Sequence, residues 1–525
     1  MYRITDIRLN LGGTEEDLKR EAARRLKVKP AEIRSLKLYK KSVDARHKDD
    51  VHFICTVDAD CPRNNAPRDP KIAEARPYRY ILPQSRPLGT RPVVVGFGPA
   101  GMFAALILAE AGQKPIVLER GSCVEERRKQ VESFWKTGKL NPRCNVQFGE
   151  GGAGTFSDGK LNTGTKDPRI RKVLEEFAAA GAPEEILYEA KPHIGTDRLP
   201  GTVKTIREKI RTLGGEIFFD TQMTGLTVRD GKIAGIEFSR NGGTPEKLEA
   251  ENVILAVGHS ARDTFAMLAS IGLPMEAKAF SVGARMEHLQ KTINLSQYGK
   301  SAENPALGAA DYKLAVHLEN GRGVYTFCMC PGGTVVAAAS EEGRLVTNGM
   351  SVFARDGKNA NSALLVSVGP EDFGGEGPLA GVEFQRRLEE AAFRLGGGTY
   401  RAPAQRVGDF LARVPSAGFG AVKPTYPVGV VPCSLDDCLP AFLTDSMRDG
   451  IRRMGARLRW FSDPDAVLTA VESRSSSPVR LLRGDDMQSV GLRGLYPCGE
   501  GAGYAGGIVS AAVDGIRCAE RVLPF

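Results

Sequence analysis

The chain has 525 residues, 42% hydrophobic and 26% charged, which is too long for one compact core and argues against a disordered or fibrous chain. No apolar run reaches the ~18 residues of a membrane-spanning helix, and residues 1–12 lack the apolar stretch of a secretion signal. Ten scattered cysteines fit reduced thiols in a cytoplasmic protein better than a disulfide scaffold.

The net charge is +9, and residues 1–86 carry 20 Lys and Arg against 13 Asp and Glu. This excess makes either a solvated basic face or a site for an anionic partner such as nucleic acid, a membrane face or an acidic protein. Sparse aromatic residues there give base stacking little support.

Tyr2 to Leu11 alternates as a strand. Thr14 to Asp17 resembles a capping box, and Leu18, Ala22 and Leu26 follow at helical spacing. Ile33 to Tyr39 and His52 to Val57 read as further strands, so residues 1–60 form a small basic βαββ-like α+β module. Prolines at 62, 67, 70, 77, 83, 87 and 92 remove backbone donors and fix φ, so 61–90 is expected to be a linker that wraps a surface without forming an element.

The clearest motif follows. Val93-Val94-Val95 enters the turn Gly96-Phe97-Gly98-Pro99-Ala100-Gly101. An alanine-rich helix comes next, then Ile116 to Leu118 and Glu119-Arg120. Gly96 permits the tight turn, Gly98 leaves no Cβ against a pyrophosphate, and Gly101 with Ala105 lets the helix approach the sheet. The helix N-terminus offers free N–H groups and a positive dipole end to phosphates. Glu119 is placed to accept hydrogen bonds from a ribose and disfavours NADP. From these residues alone the site is one for a dinucleotide.

Gln147 to Lys160 contains Gly149, Gly151, Gly152 and Ser157 and reads as a loop approaching a flat ligand; a flexible surface loop is the alternative. Glu216 to Asp220 and Thr224 to Arg229 read as strands, Asp230-Gly231 as a hairpin turn, and Lys232 to Phe238 as the return. Asn252 to Val257 is an apolar strand ending at Gly258-His259. Near the C-terminus Gly494 to Pro497 leads to Gly499-Glu500, and Gly506-Gly507-Ile508 opens a helix.

The hairpin with its apolar strand resembles the second FAD signature of glutathione-reductase-type flavoproteins, with Val257 where threonine is common. Gly499-Glu500 and Gly506-Gly507-Ile508 resemble the returning FAD segment of that superfamily. The resemblance implies that Glu500 serves the ribityl or phosphate region and that the last helix points its N-terminus at the flavin pyrimidine edge. It favours FAD over NAD. No second Gly-x-Gly-x-x-Gly follows a buried strand, so electrons are expected from the substrate, from transient NAD(P)H binding or from a protein donor.

Across nearly its whole length the chain resembles the uncharacterised bacterial FAD-dependent dehydrogenases of the glutathione-reductase-like superfamily. Gly149 to Leu161, Pro192 to Asp197, Phe327 to Gly333, Glu472 to Arg480 and Gly499 to Gly515 carry this resemblance. The fold class expected is α/β, with a Rossmann-type FAD-binding domain built from 91–275 and 471–525. A mixed α+β substrate or cap domain would occupy 276–470.

Candidates for chemistry are Cys328 and Cys330 beside Pro331-Gly332-Gly333, His193 in a loop as acid or base, and Arg474 for flavin oxygens or an anionic substrate. Each has a structural alternative: packed small side chains, a satisfied histidine, or a capped loop. Cys433 and Cys438 lack the partners of a zinc site, and no metal is expected. The preferred activity is hydride transfer between flavin N5 and a small-molecule substrate. A nucleic-acid-acting flavoprotein and a non-catalytic FAD sensor are the other readings.

Overall fold

The computed structural model describes residues 1–62 and 68–524. Its N-terminal sheet has the antiparallel order Ser35–Asp44, His52–Asp60, Tyr2–Leu9, Ile72–Glu74. The helix Glu15–Leu26 starts at a reciprocal capping box. Thr14 donates its N–H to Asp17 Oδ2 at 2.8 Å, and Thr14 Oγ1 accepts from the Asp17 N–H at 3.4 Å. Leu18, Ala22, Ala23 and Leu26 on its inner face are buried, the stripe that helical periodicity requires.

Ile72–Glu74 corrects the expectation that 61–90 forms no element. Only Pro70 flanks it closely, and its residues can bond to Tyr2–Ile4 at the sheet edge, where proline costs least. The part of the linker reading at 63–67 lies outside the described residues. The module is also docked within the chain. Lys41 and Ala190 exchange backbone hydrogen bonds with Tyr188 and Lys41 at 2.8 Å, and Lys48 Nζ donates to Gln297 O at 2.6 Å. Its core is continuous with that of the cap sheet below.

A second sheet has five parallel strands in the order Leu495–Pro497, Val253–Leu255, Val93–Val95, Ile116–Leu118, Glu216–Phe218. Each is three residues long. Short strands buried on both faces read as continuous apolar runs, as Val93–Val95 does. The helix Pro99–Glu110 buries every residue from Ala100 to Ala109. It lies between this sheet and the helices Leu199–Thr212 and Ile508–Val522. At the edge, Thr221–Arg229 and Lys232–Arg240 form a hairpin. Its turn residues Asp230 and Gly231 have φ of 49° and 69°, as a tight hairpin turn demands.

The third sheet has seven strands in the order Ala315–His317, Gly323–Cys330, Asn359–Val368, Phe280–Leu289, Val467–Glu472, Ala402–Arg406, Val430–Pro432. Val467–Glu472 crosses the boundary expected between residues 470 and 471, because it pairs with Phe280–Leu289 along its length. The helices Ala380–Leu395 and Ala441–Gly455 cover this sheet, and Phe280 stacks on Phe373 at 5.2 Å. No helix among the described residues is long and apolar enough to cross a membrane.

Candidate functional site

The parallel sheet sets the site at its C-terminal edge, where the strand Val93–Val95 turns into a helix. Gly96 has φ 97°, and a Cβ there would overlap the carbonyl oxygen of Ala256 on the neighbouring strand's exit. A Cβ at Gly101 would overlap Gly96 O. Both glycines are therefore required by the close approach of turn, helix and sheet.

The turn opens on a cavity of about 1020 Å³. Gly96, Gly98, Pro99, Ala100, Glu119 and Arg120 line one part of it. Gly149, Gly152 and Ser157 line another, with Gly258, His259, Glu500, Gly506, Gly507 and Ile508 completing that wall. Gly101, Gly151 and Gly499 do not line it. Gly101 sits under Gly96, Gly151 (φ 82°) against Thr155 and Val203, and Gly499 against the Ala100 methyl.

Glu119 is buried and its carboxylate accepts three backbone N–H groups: Phe97 at 2.8 Å, Gly121 at 2.9 Å and Gly149 at 3.0 Å. It thus joins the nucleotide turn, its own strand end and the glycine loop, and lines the cavity between them. Arg120 donates to Asp263 Oδ1 at 2.8 Å and lies 4.3 Å over the Phe148 ring.

The glycine loop is held, not loose. Arg127 is fully buried and gives its guanidinium donors to backbone carbonyls of the loop: Asn145 at 2.9 Å, Val146 at 2.9 Å, Glu150 at 2.6 Å and Gly152 at 2.9 Å. Its planar fork satisfies several divergent acceptors at once. Arg127 lies on the helix Val124–Thr137, and nothing in the sequence marks this use. Glu150, also fully buried, accepts from Val124 N at 2.7 Å and Arg207 Nη1 at 2.6 Å, while its Oε1 has no hydrogen-bond partner. Burial pushes its carboxyl up to about 7.

The returning segment is clamped from below. Gly499 N–H donates to Asp514 Oδ2 at 2.7 Å, and Arg483 pairs with the same carboxylate at 2.9 and 2.7 Å. Cys498 and Cys518 lie within metal-ligand reach of Asp514, but the guanidinium already neutralises that carboxylate.

The cap sheet supplies the opposite wall through Thr326, Phe327 and Cys328 of Gly323–Cys330, together with Asn348, Glu472 and Lys278. Burial lowers the Lys278 ammonium below its ordinary range. Arg285, fully buried, pairs with both Glu472 oxygens at 2.8 and 2.9 Å and donates to Cys328 O at 2.9 Å.

The four candidates for chemistry separate. Cys328 lines the cavity, whereas Cys330 is buried behind it. Arg474 lines the cavity, but Nε, Nη1 and Nη2 are committed: to Glu389 at 3.0 and 2.9 Å, and to Ser260 and Ser340 at 3.1 and 2.5 Å. Arg262 grips the same Glu389 at 2.8 and 2.7 Å. The role expected of Arg474 toward a flavin or substrate oxygen is therefore replaced by a buried Arg–Glu–Arg cluster. His193 is not a lining residue. Its Nε2 lies 3.0 Å from Phe353 O, its ring stacks on Phe353, and burial depresses its pKa, which makes it a packing group.

The family described as "FAD-dependent protein, C-terminal domain-like" matches residues 279–475, and a domain of unknown function matches residues 1–60. An uncharacterized protein of Clostridium beijerinckii is 49% identical over 528 residues, covering 99% of this chain and 98% of its own. The chain belongs to this uncharacterised FAD-dependent family.

Among solved structures the family member resembles a triple mutant of the flavin-dependent brominase Bmp2 at 12% identity, over 82% of this chain and 79% of that one, with TM-score 0.37. CtdE in complex with FAD matches at 14% identity over 81% of each chain, with TM-score 0.29. A 3-ketosteroid-delta4-(5alpha)-dehydrogenase from Rhodococcus jostii RHA1 matches at 13% identity over 84% and 98%, with TM-score 0.34. Scores this low say nothing of the family's chemistry.

The cofactor of the family is FAD, and the residues present fit it. Nothing lies within 4 Å of a Cβ built on Gly506 or Gly507, so the last helix opens onto free space. Its cap residue Gly507 has no side chain to occupy the first N–H groups, leaving them for an anionic ligand edge. Both ring nitrogens of His259 are buried without a hydrogen-bond partner; Nδ1 lies 3.3 Å from Glu500 Oε1, off hydrogen-bond geometry. An orphaned polar ring on a cavity wall is what a polar ligand would satisfy.

Proposed function

We propose that this chain is an FAD-dependent dehydrogenase or reductase that moves hydride between flavin N5 and a small-molecule substrate held under the cap sheet. One observation carries the reading: a single cavity is lined both by the nucleotide turn and returning helix and by the cap strand Gly323–Cys330. Its volume, about 1020 Å³, is at the upper end of ordinary ligand sites.

In this reading Gly98, Pro99 and Ala100 take the pyrophosphate at the helix N-terminus. Glu119 takes the adenosine ribose with its remaining acceptor capacity. The N-terminus of Ile508–Val522 stabilises negative charge at the pyrimidine edge. The cofactor supplies the hydride chemistry; the protein supplies orientation and exclusion of water. Glu472, Asn348 and the flank of Gly323–Cys330 would bound the substrate. Electrons would come from that substrate, from NAD(P)H binding transiently, or from a protein donor.

Anaerobic stopped-flow absorbance against NADH, NADPH and a panel of metabolites tests the proposal. Bleaching of the flavin by a metabolite at a saturable rate is the expected result. A yellow protein that none of these reduces would overturn it and favour a flavin sensor.

A further inference from the structure

Successive side chains of a strand point to opposite faces, so a regular strand gives a cavity every second residue. Gly323–Cys330 gives more: Thr326, Phe327, Cys328 and Met329 all line the cavity. The cause is a bulge, where the register with Asn359–Val368 shifts between Phe327 and Cys330; bulges re-aim side chains beside binding sites. Phe327 is left 37% exposed, a large aromatic ring against which an apolar ligand can lie.

Beside this ring the wall is built of donors. Arg285 Nη1 donates to Cys328 O at 2.9 Å, and its Nη2 donates to Asn348 Oδ1 at 2.9 Å. The Gly349 N–H donates to the same Oδ1 at 2.8 Å. A guanidinium and a backbone N–H can only donate, so the Asn348 oxygen must face them. Its NH2 group, with no acceptor among the described residues, is left to the cavity that Asn348 lines.

Lys160 lines the cavity too, close enough to Cys328 for its charge to act on that thiol. Its Nζ lies 2.8 Å from Asp158 Oδ2 yet makes no hydrogen bond. Arg355 already takes both Asp158 oxygens, at 2.9 and 2.5 Å. One carboxylate therefore stands between two cations. Glu472, the other carboxylate on this wall, gives both its oxygens to Arg285. The positive charge of Lys160 is left over, and a half-withdrawn cation without a hydrogen-bond acceptor favours an arriving anion.

We propose that the substrate carries a carboxylate, received by the Asn348 NH2 group and the Lys160 ammonium, with its apolar body against Phe327. The inference rests on the hydride-transfer reading above, which puts the substrate under the cap sheet and the cofactor's diphosphate at the nucleotide turn. A carboxylate only accepts hydrogen bonds, and charge strengthens those it accepts from these two donors. A substrate ammonium would find no free acceptor in the pair.

The test needs no turnover. Oxidised full-length holoprotein is titrated by calorimetry, with flavin difference spectra, against benzoate, benzamide and benzylamine. Benzoate should bind at least about tenfold more tightly than benzamide, and benzylamine most weakly. Asn348→Asp keeps an oxygen for Arg285 and Gly349 but turns the free donor into an acceptor. That variant and Lys160→Met should each erase the advantage of benzoate while FAD stays bound. Phe327→Ala should weaken benzoate and benzamide alike; unchanged affinities there would overturn the placement of the apolar body. Benzamide binding as tightly as benzoate, an advantage that Asn348→Asp leaves in place, or no binding of benzoate would overturn the proposal. Loss of FAD from both donor variants would also overturn it, by assigning these donors to the cofactor. If benzoate behaves as expected and no electron donor bleaches the flavin, the hydride-transfer reading fails and the carboxylate site stands.

Discussion

Gly515, on the last helix, lies directly against the carbonyl oxygen of Ala100, on the first helix of the nucleotide fold. A Cβ at position 515 would overlap that oxygen. The two residues are more than four hundred positions apart, and their contact sets how closely the returning segment reaches the nucleotide turn. The obstacle is backbone, which cannot swing aside as a side chain can. Gly515→Val should therefore cost about 1–3 kcal/mol of stability and lower FAD affinity together. Chemical denaturation and flavin titration check both; a variant as stable and as yellow as the parent would contradict the packing.

Arg127→Lys tests the glycine loop. Lysine keeps the charge but cannot reach four carbonyls in diverging directions. Buried acceptors left unmatched cost about 1–3 kcal/mol each. The variant should lose several kcal/mol of stability, show faster amide exchange in 145–152, and hold FAD more weakly.

The buried Arg262–Glu389–Arg474 cluster makes a sharper prediction. Glu389→Gln leaves two enclosed guanidinium groups with one carboxylate fewer between them, a loss of about 3–5 kcal/mol by the usual cost of breaking a buried pair. Equilibrium unfolding reads it. A change under about 1 kcal/mol would mean that the cluster is hydrated.

Glu150 gives a pH dependence. Its folded-state carboxyl is raised to about 7 from an ordinary value of 4.5, so the folded chain binds the extra proton. Its unfavourable contribution is absent below about pH 4.5. It grows as pH rises to about 7 and is constant beyond. Glu150→Gln removes this titration at the expense of the Arg207 ion pair. The stability difference, parent minus variant, should therefore fall between those two pH values and be flat above the upper one. A difference that does not move across the window would contradict the assignment.

The legible parts of this protein were the local ones. A strand, a glycine turn and a helix follow one another within twenty residues around Gly96, and the capping box at Thr14 is complete in four. Asp230-Gly231 named its own hairpin. The strand Ile72–Glu74 was hidden because it is short, stands in a proline-rich stretch with Pro70 just before it, and pairs with the distant strand Tyr2–Leu9. Arg127 and Arg285 were hidden because a buried guanidinium looks, in sequence, like any surface arginine. Cys328 and Arg474 were visible as residue types, but their roles turn on which elements face them. Arg474 spends its donors on Glu389, Ser260 and Ser340, and Cys328 lines the cavity.

The parallel sheet has a further consequence for biosynthesis. Val253–Leu255 waits with one edge bare until Leu495–Pro497, far downstream, is made. The flavin pocket therefore lacks one wall through the synthesis of the whole cap sheet. Cofactor capture must follow synthesis of that returning strand, and a nascent chain stalled before it would present an unpaired β-edge to chaperones and neighbours.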